Sequence, residues 1–282
     1  MELGRLLRSA PWSARISLVV IVLYVIVAVF ARYLAPHLQG AIVGPALEPW
    51  SSANWLGTDD QGRDILSRLI YGAQNTLGIA FAATAIAFLL GGALGIIAAI
   101  VGGWCDEILS RIVDVLMAIP GLIFSLMLMS IVGSSVTNII LIIAVIYSTR
   151  VFRLARSVAM GVVVMEYVEF ARLRGEGVTR LMLFEILPNM IGPLLAEFGL
   201  RFCFVFLNIA ALSFLGVGIQ PPDADWGSMV RESASMISFA RDDYQAALMP
   251  LLPALAIAIL SIAINFVVDW VLHLSSGLKN ET

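Results

Sequence analysis

Long apolar stretches alternate with short polar ones along this chain, at residues 16–34, 77–101, 112–132, 136–152, 190–217 and 246–272. A helix needs roughly 17–25 predominantly apolar residues to cross hydrocarbon. The pattern therefore predicts an all-α membrane protein with six transmembrane helices. Between the fourth and fifth runs lies EYVEFARLRGEGVTRLMLFEILPN, residues 166–189, which is polar and broken by glycine. On a 3.6-residue repeat Tyr167, Phe170, Ala171 and Arg174 share one face while Glu166, Glu169 and Arg172 point elsewhere, a short amphipathic helix. Gly175 is placed to end it, because glycine adopts the left-handed conformation of helix C-termini. Thr179 is placed to cap a second helix over 180–187. Pro188 then either stops that helix or opens the next span.

Composition supports the membrane reading. Of 282 residues, 60% are hydrophobic and 13% charged, and the mean hydropathy is +0.95, outside the range of soluble domains. The first run follows Arg5, Arg8 and Arg15, as a secretory signal would. It is too long for a signal core and shows no small-residue cleavage site before Arg32, so it reads as a retained helix. Basic residues favour cytoplasmic loops. With the N-terminus inside, the inner segments hold eleven basic residues, Arg111, Arg150, Arg153, Arg156, Arg172, Arg174, Arg180 and Lys279 among them, and the outer segments five. Both termini are thus expected to be cytoplasmic. A net charge of −3, with dispersed basic residues, argues against a nucleic-acid partner. Cys105 falls in a short inner loop and Cys203 inside the fifth run, so no disulfide is expected between them.

The chain lacks the usual signs of covalent chemistry. Lys279 is its only lysine, which rules out a phosphate loop of the Gly-x-x-x-x-Gly-Lys-Ser/Thr kind. His37 and His273 stand alone at opposite ends of the spans, offering neither a zinc-type spacing nor a base for a nucleophile. The run GGALG, residues 91–95, lies inside an apolar span, where small residues serve close helix packing. No catalytic residue, metal site or resident cofactor is expected.

The segment 166–189 resembles the "EAA" loop of ABC importer permeases, with Glu169, Ala171, Gly175, Ile186, Leu187 and Pro188 in the matching positions and Phe170 replacing the usual middle alanine. Three further stretches are similar to the dipeptide, oligopeptide and nickel group of that family: NWLGTDDQGRDILSRLIYGAQNTL (54–77), RIVDVLMAIPGLI (111–123) and LSFLGVGIQPPDADWGSMV (212–230). Gln74 stands where an arginine is common, and the tail after Asp269 lacks the group's usual Gly-Leu-Arg-Asp ending. The resemblance implies a type I ABC importer permease fold in a bacterial inner membrane. It divides the chain into an N-terminal helix with an outer lead-in segment (1–76), a permease domain (77–275) with its coupling loop at 166–189, and a cytoplasmic tail (276–282). It implies a second homologous permease subunit, two cytoplasmic ATPase subunits that use ATP and Mg, and an extracytoplasmic substrate-binding protein as partners. Glu169, Phe170, Ala171, Arg172, Gly175, Leu187 and Pro188 would then couple the chain to an ATPase subunit. From the residues alone, an amphipathic helix resting on the inner leaflet explains the same segment.

Other polar positions carry two readings each. Glu197 and Arg201 sit within LLAEFGLRFCFVF, with Arg201 roughly 16 Å into a ~30 Å core. Their i, i+4 spacing lets them pair. The pair is either structural or lines the translocation pathway together with Asn208. For Asn208, Asn265 and Asp269, hydrogen bonding between helices is the plainer role. Arg150, Arg153 and Arg156 form one stripe, explained by snorkelling towards lipid phosphates or by contact with the coupling loop or an ATPase. Residues 220–245 read as a solvated outer loop in which Trp226 anchors at the interface; the resemblance adds an outer scoop that receives substrate. Peptides are the expected cargo, with a nickel or metal-chelate importer and, more remotely, an ion-coupled secondary transporter as alternatives.

Overall fold

The computed structural model describes residues 10–239 and 244–275. Arg5, Arg8, Arg241, Asp242, Asp243, Lys279 and the tail 276–282 lie outside the described residues. The described chain is almost entirely helical, with two isolated β-bridges, Ile42 to Arg63 and Thr58 to Asp64. In chain order the helices are α1 (Trp12–Val29), α2 (Ala31–Leu34), α3 (Ile65–Val101), α4 (Gly103–Met117), α5 (Gly121–Val132), α6 (Val136–Val163), α7 (Glu166–Leu173), α8 (Val178–Arg180), α9 (Leu187–Phe214), α10 (Trp226–Ser233) and α11 (Tyr244–Ser275). A π-helical turn (Leu181–Ile186) joins α8 to α9, and a 3-10 turn (Ala234–Phe239) follows α10.

Five of these are long and apolar enough to cross a membrane: α1, α3, α6, the continuous helix Val178–Phe214, and α11. The expected third span is not one straight helix. α4 and α5 meet at 87°, because Pro120 at the N-cap of α5 cannot continue the α4 hydrogen-bond ladder and disfavours helical geometry in the residue before it. Counting that bent pair as one span gives six. α3 starts at Ile65, twelve residues before the apolar run read from Leu77, because Asp64 caps it: its carboxylate accepts from the Ser67 backbone N–H at 2.8 Å and the Ser67 hydroxyl at 2.6 Å.

The tightest crossing is between α3 and α6, and GGALG makes it. A Cβ on Gly91 would sit 2.3 Å from the Ser148 carbonyl oxygen, and one on Gly95 would sit 2.7 Å from that of Phe152. Only hydrogen fits, so the backbones touch, as small residues permit in membranes. The core beside this crossing gathers Ala80, Ala83, Ile139, Ile143, Phe206, Ile209 and Leu212. The bundle has two ends. One carries residues 35–64 and α10, here the cap end; the other carries α7, here the loop end. They stand at opposite ends of the 37-residue α3, ~55 Å apart at 1.5 Å per residue.

Candidate functional site

At the loop end, α7 is amphipathic as expected. Val168 and Ala171 are fully buried, while Tyr167 is 40%, Phe170 61% and Leu173 78% exposed; Arg174 is also exposed. The face containing Tyr167, Phe170 and Arg174 is therefore turned outward, because the smaller pair Val168 and Ala171 fits against Ile96, Ile100, Leu181, Ile186 and Met190. Glu169 lies on the exposed side too. Arg172 is turned back into the protein: its guanidinium donates to the Ile100 carbonyl at 3.0 Å, near the C-terminus of α3. That carbonyl is among the last four of a helix, which have no partner within it. Arg172 thus fastens α7 to α3.

Gly175 ends the segment with φ 80°, and the Glu176 N–H returns to the Ala171 carbonyl at 3.2 Å, a closure of the left-handed type. The next helix begins at Val178 with Gly177 at its cap, two residues before the expected threonine cap, and Thr179 makes no capping bond. Pro188 opens α9 rather than stopping the helix before it, lying in the first turn where its missing N–H costs nothing extra. The preceding turn widens into π geometry, Leu187 N–H reaching the Met182 carbonyl, and the Asn189 side chain donates to the Glu185 carbonyl at 2.7 Å. Leu187 packs at the edge of the same cluster as Val168 and Ala171. From Val178 the chain is helical without interruption into α9, and only the turn at residues 174–177 separates it from α7.

Two arginines of the stripe are paired within the chain. Arg156 makes two bonds to the Asp106 carboxylate, and Arg153 binds Asp114 at 2.6 Å. Both acids are on α4, so the stripe clamps the elbow after α3 onto α6. Arg150 is exposed.

Midway along α9, Glu197 and Arg201 form the expected ion pair, and the Arg201 guanidinium carbon lies 5.8 Å from the centre of the Phe204 ring. Asn208 donates to the Tyr147 hydroxyl at 3.2 Å, and that hydroxyl donates to the Phe204 carbonyl at 3.1 Å. Asn208 thus ties α9 to α6, the helix-to-helix role. Asn265 does the same for α11 and α9 through Cys203, at 3.8 Å. Both cysteines are free thiols.

At the cap end the expected solvated loop is folded inward. Trp226 is 2% exposed, its indole N–H bonded to the Leu69 carbonyl at 2.9 Å and its ring set edge-on to Tyr24 and Phe206 at 5.6 and 6.2 Å. It anchors in the core, not at a membrane interface. Asp225 caps α10 through bonds from the Gly227 and Ser228 N–H groups, and Ser228 completes a capping box. Gly227 lets α10 lie on α9, since a Cβ there would be 2.3 Å from the Ala210 carbonyl oxygen. Glu232 accepts from Arg63 at 3.0 Å and Arg68 at 2.8 Å, and Asp59 holds the same two arginines at 2.6 and 3.4 Å. Gln39 bridges three segments, donating to Asp223 and accepting from Asn75 and the Ala224 N–H at 3.2 and 3.1 Å. His37 is not isolated, lying 3.9 Å from Asp64. The motif Asp225-x-x-Ser228 is a readable helix start that would have identified α10; nothing in the sequence singles out Gln39.

Residues 91–276 match the family described as "Binding-protein-dependent transport system inner membrane component". The chain belongs to that family. It is similar to the dipeptide transport system permease protein DppC of Alkalihalophilus pseudofirmus, at 34% identity over 80% of this chain and 75% of that one. It is also similar to the DppC of Haemophilus influenzae, at 34% identity over 91% and 88%, and to the glutathione transport system permease protein GsiD of Pectobacterium atrosepticum, at 32% over 88% and 81%. The chain is thus an ABC importer permease of the dipeptide and oligopeptide group, a multi-pass inner-membrane protein and a transport subunit rather than an enzyme.

Proposed function

We propose that the chain is one of two permease subunits of a peptide importer and that α7 seats in a cytoplasmic ATPase subunit. Substrate, a dipeptide or short oligopeptide, arrives from a binding protein at the cap end. Two ATPase subunits, which carry the ATP and Mg, close at the loop end, and α7 passes their movement to α9 so that access alternates between the two sides of the membrane. Both termini lie on the ATPase side. The peptide cargo rests on relatives whose names specify dipeptides and glutathione.

The observation that carries this reading is the outward face of α7. Phe170 and Leu173, 61% and 78% exposed, stand on a helix whose other face is buried and whose ends are tied to α3 and α9. Large apolar side chains held rigidly outward on a polar helix mark a protein contact. A helix resting on lipid would leave them equally exposed, and the test separates the two. In Phe170→Ala/Leu173→Ala the chain keeps its fold, since neither side chain is buried, and ATPase subunits no longer co-purify with it, while peptide uptake falls at least tenfold. Undiminished co-purification with undiminished uptake would refute the docking role.

A further inference from the structure

Glu197 and Arg201 are placed where charges are most costly to keep, at the middle of a span, and their pairing does not explain their presence. Both are on α9, so their ion pair joins no two helices. The contrast with the cap end is direct. Arg68, with 2% of its side chain exposed, divides its guanidinium between Glu232, Asp59 and the Gln39 carbonyl, three segments held together. Arg201 uses one N–H, donated from Nε to Glu197 Oε1, of the five a guanidinium carries. Their side chains remain 16% and 15% exposed, so the unused donors and the second carboxylate oxygen stay within reach of another molecule.

The same stripe of α9 continues with Phe204, 46% exposed, and with Asn208, seven residues or two turns beyond Arg201. The Asn208 Oδ1 is buried and has no hydrogen-bond partner, a state that buried polar atoms rarely tolerate. Acid, guanidinium, aromatic ring and amide acceptor therefore follow one another along one face. Glu197 and Arg201 are separated by ~6 Å along the axis, and two extended residues span about 7 Å at most, the reach between the amine and the carboxylate of a dipeptide.

We propose that Glu197 and Arg201 form a charge clamp in the translocation path, Arg201 receiving the carboxylate of a zwitterionic peptide and Glu197 its ammonium as the internal pair opens. Phe204, 46% exposed, lies next along the stripe for the rest of the ligand. The inference rests on the peptide-importer reading above. It deepens that reading by naming the free termini, rather than the side chains, as the features the path selects.

The test uses the complete importer, with binding protein and ATPase subunits, in proteoliposomes and with dialanine as the probe. If the unaltered importer moves no dialanine, N-acetyl-dialanine or dialanine amide, the peptide reading fails and the clamp falls with it. If it moves dialanine, Arg201→Gln and Glu197→Gln are expected to assemble and to lower dialanine uptake at least tenfold. The amide should lose little with Arg201→Gln, and the N-acetyl peptide little with Glu197→Gln. Unchanged uptake in both variants overturns the clamp while leaving the peptide reading standing. The swap Glu197→Arg/Arg201→Glu keeps an internal pair but reverses its polarity. Should it restore assembly and full uptake after the single variants fail to assemble, the pair is structural and the clamp is overturned.

Discussion

The two ends of this bundle are built on opposite principles. At the cap end, Arg63 and Arg68, at 3% and 2% side-chain exposure, are enclosed with Glu232 and Asp59, and a tryptophan is buried beside them. At the loop end, Arg174 and Arg180 contact Glu176 from largely exposed positions, and Phe170 and Leu173 face outward. A chain that can bury two arginines at one end is not short of means to bury a phenylalanine at the other. The open loop end is what the proposed seating of α7 in an ATPase subunit requires. The cap is closed by contacts within the chain; in the proposed cycle it is the frame against which motion entering at α7 tilts the spans.

Removing the cap's central acid gives the largest expected effect. Glu232→Ala removes the carboxylate shared by two enclosed guanidinium groups, leaving them Asp59 and the half-exposed Asp60, 3.8 Å from Arg63. Breaking a buried ionic group by deleting one partner costs about 3–5 kcal/mol, far above the 0–1 kcal/mol of an exposed pair. Glu176→Ala, which breaks the Arg174 and Arg180 contacts at the loop end, should cost less, because those two arginines are 61% and 70% exposed and return to water. Thermal unfolding of both variants measures the contrast. Equal losses would erase the distinction between the ends.

The parts of this architecture legible in the sequence are those with a local cause. Span positions follow from apolar length, the α3–α6 contact from Gly91 and Gly95 inside an apolar run, and α7 from its period with Gly175 at its end. What was missed depends on contacts far apart in sequence. Trp226 reads equally well as an interface anchor or a core residue, and only the approach of Tyr24, Leu69 and Phe206 decides between them. The arginine stripe fits lipid until α4, packed on α6, brings Asp106 and Asp114 within reach. The period of α7 leaves open which face is buried; Val168 and Ala171 are, with Tyr167 and Phe170 outward, because the space beneath is set by α3 and α9.

A smaller effect tests the frame between the two ends. Gly91→Leu places a side chain where even a Cβ meets the Ser148 carbonyl at 2.3 Å. Forcing extra methylenes into a close-packed contact costs typically 1–3 kcal/mol, and here the obstacle is backbone, which yields least. Gly92→Leu on the same helix has open space around its Cβ position and should cost clearly less than Gly91→Leu. Transport should follow stability, with Gly91→Leu impaired and Gly92→Leu near normal. A loss of uptake in a fully stable Gly91→Leu variant would mean that α3 and α6 slide during the cycle, and the rigid frame would have to be abandoned.

The smallest expected effect is a pH slope confined to the cap. Burial raises the Asp225 carboxyl above its ordinary value, and the bonds from Ser228 and Gly227 oppose that rise only in part; Oδ2 makes no hydrogen bond. An acid whose folded pKa lies above its unfolded one favours the folded state while protonated, and that advantage is lost as pH rises through the folded pKa. Stability should therefore decline with rising pH from about 4, the unfolded carboxylate value, upward. Asp225→Asn retains an acceptor at the N-cap, where Asn and Asp are equally good, and removes the buried charge. It should match the natural chain in acid, exceed it in stability at neutral pH and lack its slope, as read from unfolding temperatures between pH 4 and 8. If the two curves run parallel, the cap holds Asp225 ionised without cost, and burial is not what separates the ends.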